Sequence, residues 1–383
     1  MLKGFIAFGG GKIPFVVENY RMDLFSNDNL LQAFAKEYNF KHNYILEGQC
    51  FMNGFQGQKA IFLVEQSMGE TCYLHCYIIY MLAAQDEFDT IGLQSSFLDD
   101  IFRYNYNYLD GVRTGINFAV EPKDIYQIPF SMDGYQYNMS FRIGHNNQIG
   151  LLEDLDRKGE LLIPLHTNKI HECNNISIVF YRLAMFMMSQ ADVPFKQITL
   201  YKQGKKVGWF YCPLISKEAI SSSDIFYYKF DVMKYIPTIL NNIALDSGNK
   251  ITQSIPLGHI GNIDTVFSPQ RFIEQVMAFE YLFDKLEHKK AQNTRFSLKE
   301  ELKYSFNLFP KLLTKTELSA DDISEEIKET RRTITHGYVY YYDFKDDQKM
   351  KYLIMLFDKL IRNMSLRWMG FSTEDIDSAH WTE

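Results

Sequence analysis

The hydrophobic period of this chain changes once along its length, and that change commits it to two kinds of structure in series. Up to about Leu257 the large apolar side chains recur at every second position: Tyr135, Tyr137, Met139, Phe141 and Ile143 alternate with Gln136, Asn138, Ser140 and Arg142. That spacing puts the large set on one face of a strand. After Ser268 the spacing becomes three and four, through Phe272, Val276, Phe279, Phe283 and Leu286, as one face of a helix requires. The expected fold class is α+β, a β-rich antiparallel N-terminal domain followed by an all-α four-helix bundle. Gly248, Pro256, Gly258 and Gly261 interrupt both patterns between Asp246 and Asp264, so the expected domains are 1–264 and 265–383.

Turn residues divide the first part into hairpins. Asp133-Gly134 separates Ile125–Met132 from the run at Tyr135, Gly204 separates Gln197–Lys202 from Val207–Tyr211, and Ser67–Glu70 separates two further runs. Asp28 can cap a helix carrying Leu30, Leu31, Phe34 and Tyr38; Ser95 or Ser96 can cap Phe97–Tyr104; a third helix spans Asp231–Leu245, kinked or divided by Pro237. In the second part, Ser268 with Pro269 opens a first helix and the capping box Ser297–Glu300 a second, which runs to Pro310. Ser319 caps a third, closed by Gly337, and the last runs from about Asp346 to Met369 before Gly370.

Apolar residues at 46% and aromatics at 15% exclude a disordered chain, and a net charge of -7 excludes a generally basic nucleic-acid coat while leaving room for a local basic site. The apolar run Ile176–Met188, broken by Arg182, is too short for a membrane span, and the N-terminus lacks a signal-peptide core, so a cytoplasmic protein without membrane contact is expected. Five cysteines, an odd number scattered through a long chain, read as reduced thiols.

Few segments carry chemistry. Phe8-Gly9-Gly10-Gly11-Lys12 lacks the Ser or Thr that must follow the lysine of a phosphate loop, and reads as a glycine-rich turn at a strand end. His166, His171 and Cys173 supply three metal-ligand types in what reads as a loop, but no fourth ligand stands at zinc-site spacing, so no metal is expected. Cys72, His75 and Cys76 read as core residues, with the two cysteines on one face of an alternating run and His75 on the other. The third helix of the second part differs: Arg331 lies four residues after Ile327 and three before Ile334, on their face, where a guanidinium needs a partner such as Glu280 on the first helix. His336 ends the same helix, where a cation also suits the helix dipole.

Arg331-x4-His336 on the third of four helices, followed by Gly337 and a last helix ending Leu366-Arg367-Trp368-Met369-Gly370, resembles the HEPN superfamily, and within it the ApeA-like bundles of bacterial anti-phage proteins. The resemblance covers about Ser268 to Phe371. It departs at Arg332, where the pattern usually has Asn. It implies a ribonuclease of an abortive-infection system that needs neither metal nor cofactor. In that chemistry the ribose 2′-hydroxyl attacks the adjacent phosphate, with His336 as the proton acceptor and Arg331 stabilising the pentacoordinate phosphate. RNA, transfer RNA among it, is the implied substrate, a homodimer through the bundle the implied assembly, and a phage-derived trigger at the N-terminal sensor domain the implied signal. Arg332 reads either as a second phosphate contact or as a solvated cation; Tyr338 and Tyr340, with Tyr341 and Tyr342, either stack unpaired bases or pack on the bundle. The alternative to a nuclease is a non-catalytic HEPN scaffold in which Arg331 and His336 persist as structural groups.

Overall fold

Alternating burial along the first hairpin is what folds the N-terminal part into closed sheet. A computed structural model of the chain describes residues 1–38, 41–52, 55–68, 73–82, 87–95, 123–145, 157–167, 170–188, 193, 195–215, 235–246, 268–287, 296–314, 318–336 and 344–378. Strand β1 (Leu2–Phe8) pairs antiparallel with β2 (Gly11–Glu18), and Ile13, Phe15 and Val17 point inward while Lys12, Pro14 and Glu18 face out. The glycine-rich segment is therefore the two-residue loop of this hairpin, and the Lys12 ammonium lies 4.3 Å from the Phe5 ring centre. Strands β3 (Arg21–Leu24), β4 (His42–Met52), β5 (Phe55–Met68) and β6 (Tyr73–Leu82) continue the antiparallel order. Because β3 pairs with β6 as well as with β2, these six strands close into a barrel.

The barrel core holds Ile6, Ile13, Phe15, Val17, Leu46, Phe62, Val64, Leu74 and Met81, with the Phe15 and Phe62 rings edge to face at 5.1 Å. Helix α1 (Asp28–Tyr38) packs Phe34 against it, and its N-cap is Asn27, whose Oδ1 accepts the Leu30 N–H at 3.1 Å; Asp28, expected as the cap, is already helical. Closure leaves no room at Gly4, where an added Cβ would stand 2.0 Å from the Gln49 carbonyl oxygen and 2.7 Å from Phe15 Cζ. Since the first of these is backbone, relief requires β1 and β4 to part. Gly4→Ala is expected to cost about 1–3 kcal/mol, read as a lower denaturant midpoint in the strand signal; an unchanged midpoint would show that the two strands are not packed this tightly.

Beyond the barrel, β6 passes to β12 (Lys205–Tyr211), and the sheet continues through β11 (Gln197–Lys202), β7 (Thr90–Gln94), β10 (Arg157–Pro164), β9 (Tyr135–His145) and β8 (Lys123–Met132). The turn expected at Asp133-Gly134 is present with both residues at positive φ, 51° and 82°, as a two-residue hairpin loop demands. The helix expected at Phe97–Tyr104 lies outside the described residues. One long helix was not expected: α2 (Ile170–Met188) occupies the segment read as a loop running into an apolar stretch. Its buried residues Ile170, Cys173, Ile176, Val179, Phe180, Leu183 and Ala184 recur at three and four, so the helical period was present, and the apolar run Ile178–Met188, broken only by Arg182, obscured it.

Close contacts divide the chain into one compact unit of residues 1–129, 135–181 and 193–221, and a second of 130–134, 182–192 and 222–383. The second is mostly helical. Helix α3 (Ile236–Leu245) carries Pro237 in its first turn and is neither kinked nor divided by it, since a proline there forfeits no helical hydrogen bond. It packs with the C-terminal segment: Asn242 Nδ2 donates to the Trp368 carbonyl at 2.6 Å, and the Tyr235 and Phe371 rings stack at 4.2 Å.

Helices α4 (Pro269–Glu287), α5 (Leu298–Leu308), α6 (Ala320–Thr335) and α7 (Phe344–Trp368) pack together, with a short 3-10 turn at Pro310–Leu313 and a terminal α8 (Thr373–Ser378). Ser268 accepts the Arg271 N–H, and Ser297 and Ser319 head reciprocal capping boxes with Glu300 and Asp322. The core contains Phe272, Val276, Phe279, Phe283, Leu302, Phe306, Ile323, Ile327, Leu353, Phe357, Leu360 and Met364, the stripes expected from spacing. Among the described residues no helix is long and apolar enough to cross a membrane.

Candidate functional site

Helix α6 owes its C-terminal half to a narrow apolar stripe, and Arg331 sits on that stripe's rim. Ile327 is fully buried, Ile334 half-buried, and the Arg331 side chain is 36% exposed. Its Nη1 donates to Glu280 Oε1 on α4 at 3.0 Å, and Glu280 is also 36% exposed. The partner expected from sequence is therefore the one present, at the surface and not within the core. An ion pair this exposed contributes about 0–1 kcal/mol.

His336 is the C-cap of α6, with φ at -93° and its N–H donating to the Arg332 carbonyl at 3.1 Å; its side chain is exposed. At about 1.5 Å and 100° per residue, five residues carry it about 7.5 Å along the axis and about 140° round from Arg331. Arg332 is exposed, with Nη1 3.7 Å from Glu329 Oε2. Gly337, Tyr338, Tyr340, Tyr341 and Tyr342 lie outside the described residues.

Toward its N-terminal end, α6 is acidic and largely paired. Asp321 meets Lys299 and Lys303, Glu325 meets Lys299 and Lys328, and Glu326 meets Lys349. Arg331 and Arg332 are thus the cations of the last turns, each facing a glutamate.

The other candidate clusters take structural roles. The His166 ring bonds to the Gln136 carbonyl at 2.7 Å and stacks on Tyr135 at 4.9 Å, while Cys173 is fully buried inside α2. Glu172, between His171 and Cys173, accepts from the His166 and Thr167 N–H groups, the Thr167 hydroxyl and the Tyr137 hydroxyl; burial opposes its charge, but these bonds together hold its carboxyl below the usual range. Among the described residues no group of His, Cys, Asp or Glu is arranged to hold a metal ion. Cys76 is buried, but His75, expected in the core, is exposed because strand alternation turns it to the opposite face, and Cys72 lies outside the described residues. Burial pushes the Cys50, Cys76 and Cys212 thiols up to about 12, so they are protonated at neutral pH and poor nucleophiles. In the sheet, buried Glu160 accepts from the Tyr201 hydroxyl at 2.6 Å, and burial raises its carboxyl above the ordinary range.

Sequence reasoning missed a charged cluster inside the helical unit. Asp358 on α7 accepts from Arg271 at 2.8 Å and from Gln275, both on α4, and Arg362 lies buried one turn further along α7. Burial pushes the Asp358 carboxyl up to about 6 even beside Arg271, and pulls Arg362 down to about 9, still charged at neutral pH. The signal was available: Asp358 and Arg362 stand four apart and alternate with Ile354, Phe357 and Ile361 on one apolar face. Compared with known proteins, the chain matches no family model, no curated protein and no solved structure.

Proposed function

We propose that this chain is a metal-independent endoribonuclease acting through Arg331 and His336. The observation that carries the reading is where the two side chains stand. Both reach the surface at one end of α6, although core packing of the helix requires neither of them there. A purely structural arginine on an apolar stripe would be expected to be more enclosed, as Arg362 is buried and Arg271, paired with Asp358, is 13% exposed.

In this reading His336 accepts the proton of a ribose 2′-hydroxyl, whose oxygen attacks the adjacent phosphorus. The bond from phosphorus to the 5′-oxygen breaks, the 5′-oxygen takes up a proton, and a 2′,3′-cyclic phosphate remains. The Arg331 guanidinium offers paired donors to the phosphate oxygens as negative charge gathers on them. The angular separation of the two residues on one helix supports a composite site, with two copies related by a two-fold axis lining one cleft. Arg332, Tyr338 and Tyr340 are the proposed further RNA contacts. The resemblance to anti-phage HEPN proteins adds a defence role, with transfer RNA as one candidate substrate and the barrel-containing unit as the part that answers a phage-derived trigger.

Purified protein incubated with total RNA in EDTA tests this. Cleavage should persist, and the ends should be 2′,3′-cyclic phosphate and 5′-hydroxyl. Activity lost in chelator and restored by magnesium or zinc would reject the mechanism. The second reading, a non-catalytic scaffold, draws on the Arg331–Glu280 pair as a link between α6 and α4; it requires that no RNA is cut at all.

A further inference from the structure

Among the described residues three ion pairs in the helical unit join an arginine to a carboxylate across helix α4 and a neighbour, and they differ in exposure, with Arg367–Glu287, its side chains 28% and 21% exposed, between the other two. Arg271–Asp358 is enclosed, with side chains 13% and 6% exposed at 2.8 Å. Arg331–Glu280 is open, at 3.0 Å and 36% exposed on both sides. Solvent reaches both members of the Arg331–Glu280 pair to the same degree, so an anion arriving from solvent can meet the guanidinium together with its carboxylate.

We propose that Glu280 is an electrostatic gate on Arg331, occupying its donors until an RNA phosphate displaces it. The inference rests on the nuclease reading for its ligand, but it concerns RNA binding and not the cleavage step. Carboxylate and phosphate are alternative acceptors for the same planar fork of donors. The exposed pair is weak enough to exchange, and the Glu280 charge opposes the entry of a second anion. Arg332 lies 3.7 Å from Glu329, which Lys328 also approaches at 3.4 Å, so each of the two arginines has a glutamate beside it. The gate lets the protein keep a phosphate site on an acidic surface while binding RNA weakly at rest.

The test uses a 2′-O-methyl RNA oligonucleotide, which can bind but cannot be cut, and measures affinity by fluorescence anisotropy across a salt series. Glu280→Gln should tighten binding about three- to tenfold, and the slope of log affinity against log salt should steepen by roughly 0.7, the contribution of one freed cation on a single strand. Glu274→Gln, an exposed glutamate on the same helix, removes the same net charge and should change affinity less than twofold. In an Arg331→Ala background the gain from Glu280→Gln should vanish. Unchanged or weaker binding by Glu280→Gln overturns the gate, as does an equal gain from Glu274→Gln or a gain that survives Arg331→Ala. Failure of the nuclease reading shows separately, as absence of cleavage of unmodified RNA by a protein that still binds the methylated oligonucleotide.

Discussion

His336→Ala is expected to lower RNA cleavage by about two to four orders of magnitude, the range for loss of a general acid-base group, while leaving thermal unfolding nearly unchanged. The stability half of this expectation rests on the exposure of the His336 side chain and on the bond of its backbone N–H to the Arg332 carbonyl, which alanine keeps. Arg331→Ala should abolish cleavage too, at a cost in stability no greater than about 1 kcal/mol, because its ion pair is open to water. Arg331→Lys should fail as well, since an ammonium cannot present two parallel donors to phosphate oxygens. Cleavage rate and melting temperature on the same three variants separate the readings. Stable and inactive variants support the nuclease. Variants that cut RNA at the wild-type rate, or that unfold, would remove Arg331 and His336 from the active site.

The largest stability effect should come from elsewhere in the helical unit. Asp358→Ala removes the carboxylate that Arg271 donates to and that lowers the cost of burying the Arg362 charge, where side chains are nearly closed to water, and should cost about 3–5 kcal/mol. For a unit of this size that lowers the midpoint of helical unfolding by about 6–20 °C, followed by circular dichroism. A change under 1 kcal/mol would mean that the two arginines find other partners. A pH dependence accompanies it. Burial holds the folded Asp358 carboxyl at about 6, above the ordinary value near 4, so the folded state binds the proton more tightly than the unfolded chain. Its contribution to stability is therefore fully present below about pH 4 and lost as pH rises through about 6. Asp358→Asn should flatten the stability profile between those values, and an unaltered profile would assign the slope to another group.

The contrast between these two arginine sites marks how far local sequence reaches. Spacing placed Arg331 on the stripe, because residues three and four apart on a helix share a face whatever surrounds them, and the need of such a guanidinium for a carboxylate offered Glu280 as a partner. Spacing could not say that the pair would stand open to solvent, since exposure depends on how α4 and α6 are set against each other. The functional meaning of the site turns on that exposure.

Local chemistry alone determined the change from strand to helix near residue 268, the positive-φ turn at Asp133-Gly134, and the capping boxes at Ser297 and Ser319. Each of these depends on neighbours within a few positions, so the chain carries the whole instruction in one place. The tertiary structure alone decided the rest. Closure of the barrel by β3 on β6 joins Arg21 to His75, residues whose pairing nothing in either segment specifies. The helix at Ile170–Met188 keeps a spacing of three and four in its buried residues, but its second half is apolar apart from Arg182, and only its surroundings decide which side is enclosed. Arg271, Asp358 and Arg362 sit inside because packing brought α4 and α7 together around them, and a charge is held in a core only by partners that distant segments supply.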